Sequence, residues 1–156
     1  MIPKWKAYVV SFIVTGMAAL VGSIVTYAGM DGYRQLIPPP LSPPAAVFPI
    51  AWTILFILMA IGAARVWLKT GTLRSTPVRL FIAQLVFNVL WSILFFGFGA
   101  ILPAFICLLI LWGLVLAMLL SFYSTDKIAG LIQIPYLIWL TFAAYLNLAI
   151  WLINFG

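Results

Sequence analysis

Five apolar runs, each about as long as a membrane-spanning helix, fill almost the whole of this 156-residue sequence. Crossing about 30 Å of hydrocarbon takes roughly 20 helical residues. The runs are continuous and show no period-two alternation, which favours helices over the strands of a membrane barrel. The sequence therefore predicts an all-α integral membrane protein, a bundle of five transmembrane helices that forms one domain over residues 1–156. The predicted spans are residues 7–27, 46–67, 79–97, 103–122 and 130–153.

The eight basic residues are distributed unevenly between the two ends of these spans. When alternate ends are assigned to opposite sides of the membrane, only Arg34 lies on one side. Basic residues accumulate on the cytoplasmic side, so we expect a multi-pass protein of the cell membrane with its N-terminus in the cytoplasm and its C-terminus outside. The longest connection, residues 28–45, then lies on the outer side. The basic residues assigned to the cytoplasmic side are Lys4, Lys6, Arg65, Lys69, Arg74, Arg79 and Lys127.

The composition excludes most enzymatic and nucleic-acid-binding functions. Hydrophobic residues make up 67% of the chain and charged residues 6%, so the basic residues indicate topology and contact with anionic membrane lipid, with no nucleic-acid partner. The chain has no histidine, and its only acids, Asp31 and Asp126, lie in loops on opposite faces. Acid–base pairs, histidine-dependent triads and metal sites therefore lack their parts, and Cys107 is the only cysteine. We expect no required cofactor and no metal.

Three predicted spans carry aromatic and amide side chains at helical spacing. Amides are costly in hydrocarbon unless they are paired, so these faces should point into the bundle. They could form hydrogen bonds between helices, or they could surround a cavity for a flat apolar ligand. The proline at 135 predicts a kink inside the fifth span. The residues concerned are Phe48 and Trp52 in the second span, Gln84, Asn88, Trp91 and Phe95 in the third, and Trp139, Ala143, Leu146, Asn147 and Ile150 in the fifth.

Four motifs in order resemble the TspO/translocator family, whose members are also called tryptophan-rich sensory proteins or peripheral-type benzodiazepine receptors. The resemblance covers nearly the whole chain and is closest to a bacterial member. It implies a five-helix bundle, usually a homodimer, with a pocket that opens toward the first long loop. Porphyrins, sterols, isoquinoline-carboxamides and other hydrophobic small molecules are the ligands it implies. The motifs are Pro43-Pro44-x-x-x-Phe48-x-x-x-Trp52, Gln84-x-x-x-Asn88-x-x-Trp91-Ser92, Pro135-Tyr136-Leu137-x-Trp139 and Leu146-Asn147-x-x-x-Trp151.

The resemblance also implies roles for individual residues. Trp52 and Asn88 would donate hydrogen bonds to a ligand carbonyl or carboxylate, and Trp139 with Tyr33 would flank a bound porphyrin. The amides of Gln84 and Asn147 join this ligand-binding set because they lie on the same helix faces. The family pocket carries over to Tyr33, Phe48, Trp52, Asn88, Trp91, Trp139, Ala143 and Leu146.

Two departures limit what the resemblance implies. Leu41 stands where many members have tryptophan, which affects loop contacts with a ligand. Leu148 and Leu152 replace the aromatic and arginine residues of the animal cholesterol motif, so cholesterol recognition is not expected.

The sequence leaves several functions open. The leading expectation is a receptor-like binder of protoporphyrin IX and haem-type tetrapyrroles with a sensory or stress-regulatory role. One alternative is an enzyme that degrades porphyrin with light and oxygen, in which Tyr33 and Trp139 would be catalytic. Another is a translocator of porphyrin or lipid. A structural membrane protein without a small-molecule ligand is the remaining possibility.

Overall fold

The computed structural model describes all residues from 1 to 156 and is entirely helical. Five helical segments are long and apolar enough to cross a membrane, which confirms the predicted all-α fold. The fifth segment consists of a short helix followed by a long one. The helices are α1 (Lys4–Arg34), α2 (Val47–Thr70), α3 (Thr76–Ser92) with a π-helical turn (Ile93–Gly97), α4 (Ile101–Thr125), α5 (Lys127–Leu131) and α6 (Ile134–Phe155).

The first helix is longer than the sequence predicted. Two glycines and an aspartate made residues 28–34 resemble the start of a loop, but α1 continues through them to Arg34. The extension is stabilised by Tyr33, whose ring packs against Phe95 at 5.9 Å and Phe96 at 5.6 Å between ring centroids. The connection between α1 and α2, which we call the outer connection after the predicted topology, covers residues 35–46 and is shorter than the predicted 28–45.

The prediction of a proline kink inside the fifth span was wrong. Helix α5 ends at Leu131, and α6 begins at Ile134 with Pro135 in its first turn. A proline in the first turn costs no helical hydrogen bond because its missing N–H would have had no partner there. The break is held by Gln133, whose Nε2 donates to the carbonyl oxygens of Leu58 at 3.0 Å and Ala129 at 3.2 Å.

Helices α3 and α4 are joined by a short connection over residues 98–100 and pack as antiparallel neighbours. The main hydrophobic core includes Met59, Leu111 and Phe122, which are fully buried. Helix α1 contributes only Ala7, Ser11 and Thr15 to the buried residues, all in its first half. The outer half of α1 is therefore free to form one wall of a cavity.

Candidate ligand-binding cavity

A cavity of about 630 Å³ lies in the half of the bundle nearest the α1–α2 connection, between α1, α2, α3 and α6. Its volume falls within the range of about 300 to 1,000 Å³ that small-molecule sites usually have. Pro43 and Ala45 of the outer connection form part of its rim. No charged side chain lines it. The cavity therefore suits a ligand with a large apolar surface, whose charged groups would have to lie at the opening.

Most of the predicted binding residues line this cavity. They come from four separate elements, and the helix faces identified from the spacing of aromatic and amide residues bring them together. The predicted residues in the lining are Tyr33, Phe48, Trp52, Asn88, Trp91, Ala143, Leu146 and Asn147.

Gln84 lies outside the lining because it belongs to a buried hydrogen-bond chain beneath the cavity. Asn88 Nδ2 donates to the hydroxyl of Tyr136 at 2.8 Å, and that hydroxyl donates to Gln84 Oε1 at 2.7 Å. Gln84 and Tyr136 are both fully buried. One N–H of the Asn88 amide is engaged in this way, whereas Asn88 Oδ1 accepts no hydrogen bond within the protein and is available to a ligand. This orientation favours a ligand donor, whereas the resemblance implied a ligand carbonyl or carboxylate.

The two tryptophans of the lining differ in how their indole N–H groups are used. Trp91 Nε1 donates to Asn147 Oδ1 at 3.0 Å, and Asn147 Nδ2 donates to the carbonyl oxygen of Ile101 at 2.9 Å. The indole N–H of Trp91 and the amide of Asn147 are thereby satisfied. The first bond links α3 to α6, and the second links α6 to the start of α4. Trp52 Nε1 has no acceptor within the protein. Trp52 therefore offers a donor as well as an aromatic face to a ligand.

Trp139 also lies outside the lining, in a layer behind Trp52 and Phe48. Its ring meets Phe48 at 5.9 Å and Trp52 at 6.4 Å between centroids, with interplanar angles of 74° and 84°. Its Nε1 is buried and has no hydrogen-bond partner. In this arrangement Trp139 packs against the two rings that face the cavity.

Apart from Tyr33, sequence reasoning missed the residues that α1 contributes to the lining and the opening that they border. Ser23 and Tyr27 of α1 and Pro49 and Thr53 of α2 line the cavity and are exposed at the bundle surface. The cavity thus reaches the surface between α1 and α2 as well as at the outer connection. No spacing rule signals this, because an exposed residue on a membrane helix normally faces lipid.

Comparison with known proteins places this architecture in a family. The TspO/MBR family model matches residues 9–152. The chain belongs to the TspO/MBR family. It is 34% identical to protein CrtK of Rhodobacter capsulatus, over 96% of this chain and 93% of that protein. It is 39% identical to the tryptophan-rich protein TspO of Chlorobaculum tepidum, over 78% of each chain, and 31% identical to the translocator protein of Ovis aries, over all of this chain and 95% of that one.

Leu41, the residue at which this TspO/MBR member departs from the expected tryptophan, has an unusual backbone. Its φ is 67°, and it is the only non-glycine residue with a positive φ. Its side chain is 80% exposed and does not line the cavity. Pro43 and Ala45 are therefore the residues of the outer connection that line the cavity, and Leu41 does not contribute to the lining.

Proposed function

We propose that this TspO/MBR protein binds porphyrins, such as protoporphyrin IX and haem-type tetrapyrroles, and isoquinoline-carboxamide ligands in the cavity, with a sensory or stress-regulatory role. The observation that carries the proposal is an uncharged aromatic cavity of about 630 Å³ with one unused donor and one unused acceptor, Trp52 Nε1 and Asn88 Oδ1. Flat rings gain from packing on Trp52 and Trp91, whose centroids are 6.3 Å apart. A carboxylate or carbonyl of a ligand would accept from Trp52 Nε1, and an amide N–H of a ligand would satisfy Asn88 Oδ1.

Titration of the purified protein with protoporphyrin IX tests this proposal through quenching of tryptophan fluorescence. Trp52→Phe keeps a ring but removes the indole N–H, and Asn88→Leu removes the acceptor. Each change should weaken binding about 3- to 10-fold, the usual worth of one hydrogen bond. Trp5→Phe is the matched control, because Trp5 is 69% exposed near the N-terminus and far from the cavity. Wild-type affinity in both cavity variants would show that the ligand binds elsewhere.

Light- and oxygen-dependent porphyrin degradation is the second candidate function. It is favoured by ring contacts that continue from the cavity into the bundle, since Trp52 lines the cavity and meets Trp139 at 6.4 Å between centroids. Trp139 could receive an oxidising equivalent from a ring that touches the ligand, and Tyr33 could do so directly at the rim. Illuminating the complex in air and following porphyrin absorbance separates the functions. A binder gives the same slow bleaching in wild type and Trp139→Phe, whereas an enzyme gives a distinct product that the variant does not form.

We also propose that the N-terminus is cytoplasmic, which puts the cavity mouth on the outer side of the cell membrane. Leu41 and Leu73 are exposed, at 80% and 57%, in connections at opposite ends of the bundle. With Cys107 replaced by serine, Leu41→Cys should react with a membrane-impermeant maleimide in intact cells. Leu73→Cys should react only after the cells are lysed, and the reverse pattern would invert the topology.

A homodimer is the proposed assembly. Light scattering in detergent, corrected for bound detergent, should give twice the monomer mass of 17.3 kDa. A single monomer mass at all protein concentrations would contradict it.

A further inference from the structure

The outer end of α3 widens into a π-helical turn over Ile93–Gly97. The turn is closed by a bond of 2.9 Å from the N–H of Phe98 to the carbonyl oxygen of Ile93, five residues earlier. In an α-helix of 3.6 residues per turn, successive side chains point about 100° apart, and a wider π turn reduces that angle. Here both Phe95 and Phe96 line the cavity, and their ring centroids are only 4.8 Å apart. The turn thus directs two consecutive rings into one site.

These two rings belong to a larger group at the mouth of the cavity, the outer aromatic cluster of Tyr33, Trp91, Phe95 and Phe96. Trp91 meets Phe95 at 5.4 Å and Phe96 at 6.1 Å between centroids. Because Trp91 also packs on Trp52, the cluster extends the aromatic wall of the cavity toward the outer connection. A ligand with an extended flat ring system would contact both parts of this wall.

Helix α1 fixes the position of the π turn through Gly29. The backbone of Phe96 approaches Gly29 so closely that an added Cβ would overlap the Phe96 carbonyl oxygen and lie 2.6 Å from the carbonyl carbon. That carbonyl accepts no hydrogen bond, which is usual for the last turn of a helix. Since the colliding atoms are main-chain atoms, they cannot rotate away from a larger residue. Only glycine allows α1 and the π turn to meet at this distance.

We propose that Gly29 is a positioning residue for the ligand site. Its contact with the Phe96 main chain holds the π turn so that the rings of Phe95 and Phe96 form a second aromatic surface, which selects ligands with an extended flat ring system. This inference rests on the proposed binding function. Gly29 acts through Phe96 and does not touch the ligand.

Gly29→Ala tests the inference, with Gly32→Ala as its matched control. Both glycines lie in the last turns of α1, but an added Cβ at Gly32 would have no neighbour within 4 Å. Gly29→Ala should weaken protoporphyrin IX binding about tenfold, whereas Gly32→Ala should stay within about twofold of wild type. The ratio of protoporphyrin IX to isoquinoline-carboxamide affinity should fall about fivefold in Gly29→Ala, because only the larger ring system needs the second surface.

A double-mutant cycle shows whether Gly29 acts through Phe96. Phe96→Leu leaves the main chain intact and should weaken protoporphyrin IX binding about fivefold. Adding Gly29→Ala to Phe96→Leu should then weaken binding by clearly less than the tenfold expected in the wild-type background, because one of the two rings that Gly29 positions is already absent. Full additivity, an unchanged affinity ratio, or wild-type affinity in Phe96→Leu would each overturn the inference, and Phe96→Leu decides the matter if Gly29→Ala does not fold.

If the wild-type protein binds neither ligand, the proposed function fails and this inference with it. If the wild-type protein binds and neither change alters its affinity, only the inference is refuted.

Discussion

Asn88 and Tyr136 are joined by a buried hydrogen bond of 2.8 Å from the amide nitrogen of one to the phenol oxygen of the other. The single hydroxyl hydrogen of Tyr136 is directed to Gln84, 2.7 Å away. The direction of this chain leaves Asn88 Oδ1 without a partner in the protein. Tyr136 lies beneath the cavity and fixes the orientation of the Asn88 amide.

Tyr136→Phe should lower the free energy of unfolding by about 1 to 3 kcal/mol, because it leaves a buried amide oxygen on Gln84 without a donor. The same change frees the amide of Asn88 to rotate, so its preference for a ligand donor over a ligand acceptor should weaken. Thermal unfolding in detergent measures the first effect, and titration with a donor-bearing and an acceptor-bearing ligand measures the second. Tyr123→Phe is the control, because Tyr123 is 44% exposed and forms no side-chain hydrogen bond. Equal stability in the two variants would contradict the assigned network.

The five spans were predictable because lipid imposes strict requirements on length and hydropathy. Spacing placed Asn88 and Trp91 on one helix face, since residues three, four and seven positions apart share a face, and the family resemblance added Trp52 to the same pocket. The depth of Trp139 was not predictable, because spacing gives a direction around a helix but not which ring stands in front. The π turn could not be predicted from the sequence either. It packs against α1 where Phe96 contacts Gly29, and these two residues are 67 positions apart in sequence.

The end of the bundle opposite the outer connection is held by Asp126, whose side chain is only 6% exposed. Its carboxylate accepts from Arg65 Nε at 3.0 Å and Nη2 at 2.9 Å, and from the N–H of Ala129 at 2.9 Å, which caps α5. Burial alone would raise the pKa of Asp126, but these hydrogen bonds and the charges of Arg65 and Lys69 outweigh it and hold the pKa below its ordinary value. The ionised carboxylate is thus favoured by the fold.

A depressed pKa in the folded state sets the sign of the pH dependence. The stability that Asp126 contributes is complete above the unfolded pKa of about 3.9 and is lost as the pH falls through the lower folded value. Wild-type melting temperature should therefore decrease below about pH 4. Asp126→Asn should cost about 1 to 2 kcal/mol at pH 7 and remove most of that acid dependence. Asp31→Asn, at a side chain that is 98% exposed, should leave the pH profile unchanged; a similar profile in both variants would argue against the assignment.

The outer connection contains a strained turn at Leu41. The N–H of Ser42 lies 3.4 Å from the carbonyl oxygen of Pro39 across this turn, and Leu41 occupies the left-handed region with φ 67°. That conformation costs a leucine about 1 kcal/mol, whereas asparagine tolerates it. Leu41→Asn should therefore raise the free energy of unfolding by about 0.5 to 1 kcal/mol. The exposed Leu73, which lacks a positive φ, provides the control Leu73→Asn, and no gain over this control in thermal unfolding would count against strain at Leu41.

Asn154 fastens the outer connection to α6. It accepts from the N–H of Ile37 at 2.8 Å and donates to the carbonyl oxygen of the same residue at 3.0 Å. A second tie is the hydroxyl of Tyr145, which donates to the carbonyl oxygen of Pro40 at 2.8 Å. Since the same connection supplies Pro43 and Ala45 to the cavity rim, its attachment should govern how fast a ligand leaves.

Asn154→Leu removes both bonds to Ile37 and should raise the dissociation rate of protoporphyrin IX about 3- to 10-fold, with a smaller change in the association rate. Tyr145→Phe removes one bond and should give an increase of about 2- to 5-fold. Thr141→Val is the control, because Thr141 is an exposed α6 residue whose partner, Trp112, lies on α4, away from the connection. Stopped-flow fluorescence with excess competitor gives the rates directly. Were dissociation equally fast in wild type and Asn154→Leu, the ligand would leave by the opening between α1 and α2, and plugging that opening with Thr53→Trp should then slow its release.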